Sequence, residues 1–335
     1  MTQKVDHQKS LQVLLNSLQK KYGEGVIMSL GDLSSRSVPV LSTGCYYLNQ
    51  ALGIGGLPWG RIIEIYGLEA SGKTTLALHA IAEAQKAGHR ALFIDAEHAF
   101  DQAYAAAVGI RIDQLLICQP DYGEQALSIT QQVIDSGKVK IVVIDSVSAL
   151  IPESELKGDM GAPPMGAQAR MMSQVMRKLA AIVHKKQALC VFINQVRHKI
   201  GVFFGSPETT SGGNALKFYA SIRLKVNKGA FIKDSDHKLI GHEMKVKVVK
   251  NKMAPPFQEA IIPLHYGEGI AKEAELLIKA LVLEVIQQTK SWYSYQGKQL
   301  GQGKEKILQL LKQDNEFRRT VVNEVEKQAR VREVN

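Results

Sequence analysis

Residues 67–75, GLEASGKTT, constrain this chain more than any other stretch. They fit G-x-x-x-x-G-K-[ST], in which glycines let the backbone turn tightly and aim successive N–H groups at a polyphosphate. On that reading Gly67, Leu68, Glu69, Ala70, Ser71, Gly72, Lys73, Thr74 and Thr75 wrap the phosphates of a nucleotide. Lys73 reaches the β- and γ-phosphates, and the Thr74 hydroxyl ligates Mg²⁺. Such a loop belongs between a strand and a helix. Residues 61–66 (RIIEIY) are rich in β-formers, and residues 75–87 carry a helical pattern closed by Gly88. Both halves of the required setting are present, which predicts a nucleotide-binding strand–loop–helix unit.

At 335 residues the chain has room for one large domain with appendages, or for two domains. Its 45% hydrophobic and 22% charged content describes a globular protein with an ample core. No apolar run approaches the ~20 residues that span a bilayer, and the polar start MTQKVDHQKS carries no signal-peptide core. Cys45, Cys118 and Cys190 lie far apart, in or beside apolar runs, the pattern of buried free thiols in a reducing compartment. The expected location is cytoplasmic, with no membrane partner. A net charge of +10 suits a polyanion, but nucleotides, nucleic acid and anionic membranes satisfy it equally.

In chain order, residues 9–22 set Leu11, Leu14, Leu15, Leu18 and Tyr22 on one helical stripe, stopped by Gly23 and Gly25. A β-prone segment at 26–30 follows, then a linker at 34–42 and a Gly/Pro turn at 53–60 (GIGGLPWG). One helix and one short strand cannot bury that stripe between them, so it must dock on the body of the chain or on a neighbouring subunit. After the phosphate loop, strands at 90–94, 114–118, 140–144 and 188–193 alternate with helices at 101–108, 123–136 and 169–185. Continuous apolar strands between amphipathic helices predict an α/β fold, a mainly parallel twisted sheet flanked by helices. Beyond Asn214, strands at 221–226, 243–249 and 259–264 lack long helices between them and read as antiparallel additions at the sheet edge. Helices at 272–288, 304–312 and 316–331, with a small hairpin at 292–303, read as a separate minor domain of α+β type.

Several polar positions fall where nucleotide chemistry needs them. Asp145 closes the apolar strand 140–144, where a carboxylate sits beside the phosphate loop and holds the water shell of Mg²⁺. ATP hydrolysis also needs a carboxylate to orient or deprotonate water. Asp95 and Glu97, in FIDAEHA, both qualify by position, with Glu97 slightly favoured because it stands further out at the carboxyl edge. Gln195, in FINQ, could donate a hydrogen bond to a γ-phosphate, although a polar strand end would look the same. The segment after it, 196–213, contains four glycines, Arg197, His198, Lys199, Phe203 and Phe204. Cations beside aromatics suit single-stranded nucleic acid; a surface loop with its phenylalanines tucked inward is the plainer alternative. A weaker signal of the same kind is the Gly/Pro segment 157–166. Lys245 and Lys247 alternate with Val246 and Val248 as on any solvated strand face, whereas Lys250 and Lys252 at the strand's end are better placed to meet phosphate.

Taken together these runs resemble the RecA family of bacterial recombinases over nearly the whole chain. The likeness is carried by LSTG (41–44), IDAEHA (94–99), QPDYGEQAL (119–127), ARMMSQVMRKLA (169–180), FINQVRHKIGVFFGSPETTSGGNALKFYAS (192–221), VKVVKNK (246–252), YGEGI (266–270) and WYSYQGKQLGQGK (292–304). The resemblance implies a helical filament on single-stranded DNA, hydrolysis of ATP with Mg²⁺, exchange of strands with double-stranded DNA, and activation of an SOS repressor of LexA type. It implies three parts: an N-terminal helix–strand polymerisation arm (1–33), an ATPase core (34–269) with DNA-facing loops at 157–166 and 196–213, and a C-terminal domain (270–335) that contacts duplex DNA.

By the same resemblance Glu97 is the catalytic carboxylate, acting with Lys73, and Gln195 is the γ-phosphate sensor that moves the loop after it. Tyr104 lies against adenine, with Asp101 and Tyr266 in the same nucleotide pocket, and Thr74 and Asp145 hold the metal. Lys250 and Lys252 reach the ATP of the adjacent subunit, and Phe218 belongs to the subunit interface. Met165, Arg170, Arg177, Arg197, Lys199, Gly212 and Gly213 lie near the DNA strand. The chain departs from the family at Leu68 and Ala70, where Pro and Ser are usual, at Ser29 in place of a basic residue, and at Pro163 and Pro164, which stiffen the first loop. Its sequence runs to Asn335 in a mixed-charge helix, without the family's common acidic tail. A hexameric ring motor on the same core would share the phosphate loop, Asp145 and Glu97, but would not explain the N-terminal arm together with VKNK.

Overall fold

The computed structural model describes residues 2–23, 26–27, 38–158, 166–198, 208–234 and 236–334. Contacts divide the chain into two units, Met1–Pro39 and Val40–Asn335. The first unit holds helix α1 (Thr2–Tyr22). Gly23 ends it with φ +102°, a backbone that favours glycine, and the Gln19 side-chain amide donates to the Ile27 carbonyl at 3.1 Å. Leu11, Leu14 and Tyr22 of the apolar stripe are exposed, and Leu15 and Leu18 are half-buried. Most of the β-prone segment, including Ser29, lies outside the described residues.

The second unit begins with β1 (Val40–Leu41), α2 (Tyr46–Ala51) and β2 (Leu57–Pro58), which pairs with β1. Strand and helix then alternate: β3 (Arg61–Gly67), α3 (Lys73–Lys86), β4 (Ala91–Asp95), α4 (Gln102–Val108), β5 (Leu115–Cys118), α5 (Gly123–Asp135) and β6 (Ile141–Asp145). The short α6 (Glu153–Leu156) precedes α7 (Ala167–Lys186), β7 (Leu189–His198) and β8 (Glu208–Thr210). After α8 (Ala215–Tyr219) come β9 (Ile222–Lys233), β10 (Leu239–Asn251), β11 (Glu259–His265) and β12 (Gly269–Ile270). The main sheet runs β12-β11-β10-β9-β3-β7-β6-β4-β5, with β8 paired to β7.

Side-chain alternation on the central strands sorts the core into two layers. Ile63, Ile65, Phe93, Ile141, Val143, Leu189, Val191 and Ile193 face the layer of α3, whose Leu76, Ala77, Ala80, Ile81 and Ala84 close it. Ile62, Leu92, Ile94, Val142, Ile144, Cys190 and Phe192 face the other layer, closed by Leu127 and Ile134 of α5 and Met172, Met176, Leu179 and Val183 of α7. Each large side chain buried in this way stabilises the fold by about 1.5–3 kcal/mol, and burial on both faces is why these strands read as unbroken apolar runs. Cys190 is one of them; Cys45 is also buried, but Cys118 on the edge strand β5 is only half-buried, less than expected.

Three expectations need correction. The strand expected as the first antiparallel addition, β9, pairs parallel to β3, with Ile63 opposite Ile222; of the three expected additions, β10 is the first with antiparallel neighbours on both sides. The segment 208–221, with β8 and α8, carries the chain back so that β9 can enter in the same direction as β3. The helix expected over 272–288 stops at Val282 in α9 (Lys272–Val282), because Glu284 adopts φ +59° and the chain leaves the helical path. The chain then enters a strand, so the hairpin becomes a three-stranded sheet of β13 (Ile286–Thr289), β14 (Trp292–Tyr295) and β15 (Lys298–Gln302). With α10 (Lys304–Gln313) and α11 (Asn315–Val334) it encloses its own small core around Leu277, Ile286, Tyr293, Ile307, Leu311 and Val321.

Candidate nucleotide and nucleic-acid site

The phosphate loop lies between β3, in the middle of the sheet, and α3. Gly67 is required there by close approach, since a Cβ would stand 1.9 Å from the Val226 carbonyl oxygen of β9. Gly72 is required twice over: its φ is +94°, and a Cβ would meet Met244 Sδ at 2.7 Å. Ala70 also adopts a positive φ, +52°, and its methyl is exposed. Lys73 folds back to donate to the Leu68 carbonyl at 2.7 Å. Burial lowers its proton affinity, and Asp145, Glu97 and Glu69 oppose that by favouring the charged form.

Parallel register brings the other polar positions to the same edge. Gly67 is level with Gln195 across β3 and β7, and Asp95 is level with Asp145 across β4 and β6. All lie at the carboxyl ends of their strands, where ligands bind in sheets of this kind. The Thr74 hydroxyl donates to Asp145 at 2.7 Å. Burial pushes the Asp145 carboxyl up to about 6, and the Thr74 hydrogen bond is the main effect holding it down. A hydroxyl and a carboxylate form a hard oxygen pair that fits Mg²⁺, an ion usually held by one or two such ligands together with substrate phosphates. Among the described residues no group of three or more His, Cys, Asp or Glu could hold a metal without such help.

The two acids left open by position differ in their surroundings. Asp95 is 2% exposed and fully engaged, accepting from the Ala99 and Phe100 N–H groups and from the Gln119 amide, each at 3.1 Å. Glu97 is exposed and accepts from side chains rather than backbone: the Ser146 hydroxyl, which itself contacts Ser148 Oγ at 2.6 Å, and the Gln195 amide at 3.4 Å. Asp95 shapes the loop that presents Glu97; Glu97 remains available to a ligand. Behind Gln195, Asn194 accepts from its backbone N–H at 2.9 Å and donates to Glu64 Oε1 at 3.0 Å and to the Ser211 carbonyl at 3.1 Å. Fully buried Glu64 pairs with Arg223, which stacks 4.5 Å from the Tyr66 ring centre.

Two cavities flank the loop. One, of about 310 Å³, is lined by residues 70–75 with Tyr104, His242, Leu264, Tyr266 and Gly267. The other, of about 130 Å³, is lined in part by Thr74, Asp95, Glu97, Asp101, Tyr104 and Asp145. Tyr104 borders both, its hydroxyl 2.7 Å from Thr75 Oγ1. Asp101 caps α4 by accepting from the Tyr104 N–H at 2.9 Å. Lys250 and Lys252 line neither cavity. Both rest on α8: Lys250 donates to the Lys217 and Phe218 carbonyls at 2.5 and 3.0 Å, and Lys252 to Phe218 at 3.1 Å. Burial, then Lys252 and Arg223, lower Lys250 to about 8. Phe218 beside them is 72% exposed.

Of the positions assigned to nucleic acid, Met165 and Lys199 lie outside the described residues, as do Pro163 and Pro164. Arg170 and Arg177 are exposed one heptad apart on α7, and Arg197 is exposed where β7 pairs with β8. Gly212 and Gly213 have structural reasons to be glycine: both have positive φ, and Cβ atoms there would meet Val147 and Ala169 at 2.8 and 2.7 Å. Gln168 had gone unnoticed in the sequence. It donates to the Val147 and Leu150 carbonyls at 2.8 and 3.1 Å and accepts from the Gly212 N–H at 3.1 Å, tying the segment after Asp145 to the end of the loop after Gln195. A lone glutamine at a helix start carries no sequence signal, because its partners are all backbone groups distant in the chain.

Comparison with known proteins covers nearly all of the chain. The model of the RecA N-terminal domain matches residues 9–271, and that of the RecA C-terminal domain matches residues 274–330. The chain is 54% identical to Protein RecA of Chloroherpeton thalassium over 320 residues, 96% of this chain and 89% of that protein. It is 56% identical to Protein RecA of Cytophaga hutchinsonii over 299 residues, 89% and 84% of the two chains. Against Protein RecA of Streptococcus gordonii the identity is 53% over 330 residues, 98% and 85%.

Proposed function

The chain belongs to the RecA family, and on that premise we propose that it is an ATP-dependent recombinase, assembling as a helical filament on single-stranded DNA and pairing it with homologous duplex. The observation that carries this reading is the meeting of Glu97 and Gln195 beside the phosphate loop, with Gln195 on β7, the strand that also carries Arg197. The loop N–H groups and Lys73 bind the phosphates of ATP. Mg²⁺, held by Thr74 and the Asp145 side, neutralises phosphate charge when bound. Glu97 orients the attacking water and accepts its proton, while the Ser146 hydroxyl fixes the carboxylate. Gln195 leaves Glu97 for the γ-phosphate when ATP is present, and Asn194 carries that shift toward Ser211.

Lys250 and Lys252 complete the site of an adjacent subunit, so turnover depends on assembly. The apolar stripe of α1 docks on a neighbour, and residues 1–33, 34–269 and 270–335 divide the work as arm, ATPase core and duplex-binding domain. Arg170, Arg177 and Arg197, with Met165, Lys199, Gly212 and Gly213, lie along the DNA. Activation of a LexA-type repressor and a cytoplasmic location belong to the same proposal; among the described residues no helix is long and apolar enough to cross a membrane. Electron microscopy with ATP, with and without single-stranded DNA, tests the reading. Filaments that form on DNA support it; closed rings would favour a helicase-like motor, and unassembled subunits would overturn it.

A further inference from the structure

The larger of the two cavities beside the phosphate loop is bordered by buried polar groups whose hydrogen bonding the chain leaves incomplete. Among the described residues four buried side-chain atoms lack a hydrogen-bond partner. Three of them, Ser71 Oγ and both ring nitrogens of His242, belong to residues lining this one cavity. His242 is 2% exposed and Ser71 fully buried. A buried polar group without a partner is destabilising, and two residues bordering one space carry such groups, which a polar ligand atom reaching them would satisfy.

The backbone aims the ring. Pairing of β10 with β9 slips between His242 and Met244, but the extra residue lies on β9, between Lys228 and Phe231. Strand β10 stays in unbroken register with β11, so His242 shares a face with Met244, Val246 and Val248. Met244 on that face packs beneath Gly72, so the same face of β10 carries His242 to the side of the phosphate loop. The His242 ring lies 5.7 Å from that of Tyr266 at 47°. Burial, and then Lys228 on β9, disfavour its protonation against a smaller opposing contact of one ring nitrogen with the Ser71 backbone. That contact is too poorly aligned to count as a full hydrogen bond, and the other nitrogen is unpaired. A neutral imidazole offers one donor and one acceptor. Such a ring adds little for phosphates, which the loop N–H groups and Lys73 already match. It suits the uncharged end of the ligand, where Tyr104 and Tyr266 supply ring faces.

We propose that His242 hydrogen-bonds the nucleoside part of the bound nucleotide, an inference that rests on reading this cavity as the nucleotide site. The test compares wild type, His242→Leu and His242→Asn by calorimetry with ADP and with inorganic tripolyphosphate, and by thermal unfolding without ligand. His242→Leu binds ADP about 10-fold more weakly, the usual scale for one lost hydrogen bond, and binds tripolyphosphate unchanged. Its unliganded Tm is equal or higher, because an apolar side chain removes an unpaired polar group. His242→Asn regains most of the ADP affinity. Undiminished ADP binding by His242→Leu overturns the proposal, as does an equal loss for tripolyphosphate. A lower unliganded Tm with normal ADP affinity also overturns it, by showing that the ring's partner is protein. If wild type itself binds neither ADP nor ATP, the nucleotide reading falls first; normal wild-type binding with unaffected variants sinks only the role of His242.

Discussion

Lys73 and Lys250 are both half-buried cations that rest on backbone carbonyls of their own chain, and burial weakens the hold of each on its proton. Their neighbours differ. Around Lys73 the charged groups are Asp145, Glu97 and Glu69, all favouring its cation. Around Lys250 they are mainly Lys252 and Arg223, which disfavour it, with only Glu64 opposing. One cation sits among carboxylates of its own chain that already favour its charge. The other sits in a cluster that lacks its anion, and an exposed Phe218 at its side marks the same surface as unfinished. On the proposed function, the difference would separate what one subunit does alone from what it does for a second.

The sharpest break in that comparison is Lys73→Ala. Removing the cation that meets the β- and γ-phosphates should lower ATP turnover by at least ~1000-fold whether or not the chain has assembled. Steady-state hydrolysis with and without single-stranded DNA checks this, and turnover within tenfold of wild type would remove the phosphate-loop assignment. Next in size is Glu97→Gln, expected to slow hydrolysis at least ~100-fold while ATP binding and filament assembly survive. Asp95→Asn should do the reverse, costing stability through its lost contacts to Ala99, Phe100 and Gln119 more than it costs turnover. A larger effect of Asp95→Asn on turnover would exchange the roles of the two acids.

The same contrast explains what could be read from the chain alone. The phosphate loop, Asp145 and the strand–helix alternation are legible because each depends on residues close in sequence or on one repeated period. The choice between Asp95 and Glu97 is only half legible, since it turns on which carboxylate the loop's own N–H groups occupy. The entry of β9 parallel to β3 is hidden, because the crossover uses irregular chain and a single short helix. The end of α9 is hidden too: Ile286 is drawn into a sheet opposite Tyr295, a tertiary contact that overrides a good helical pattern. His242 and Gln168 have no motif at all, because what matters about them is the set of atoms that surrounds each one.

Lys250 and Lys252 offer a smaller but more selective break. Their double replacement by alanine should leave the ADP affinity of the unassembled chain within about twofold, while DNA-stimulated turnover falls about tenfold, the order of one to two weakened phosphate contacts. Proton linkage sharpens this. Lys250 titrates near 8 in the isolated chain, below its unfolded value, so the folded chain binds fewer protons between about pH 8 and 10.5 and its charge disfavours folding below that window. A phosphate supplied by a neighbour would restore the ordinary value. Assembly at pH 8 should then take up as much as about half a proton per subunit, measured by calorimetry in buffers of different ionisation enthalpy, and Lys250→Ala should abolish it. Equal uptake by the variant would mean that the cluster finds no anion on assembly.

The smallest expected effect belongs to a cation outside either cluster. Arg197 is exposed near the end of β7, where pairing with Thr209 on β8 holds its backbone and leaves its side chain facing outward. If it meets one backbone phosphate of single-stranded DNA, Arg197→Ala should flatten the salt dependence of binding by about 0.7 in slope, a change of only about threefold between 50 and 200 mM salt. Lys250→Ala should leave that slope unchanged for DNA at saturating ATP, because on the proposed role its anion would be a nucleotide phosphate and not the strand. Fluorescence titrations across salt concentration separate the two. A slope that shifts with Lys250→Ala but not with Arg197→Ala would reverse the assignment, moving the DNA path from the end of β7 to the end of β10.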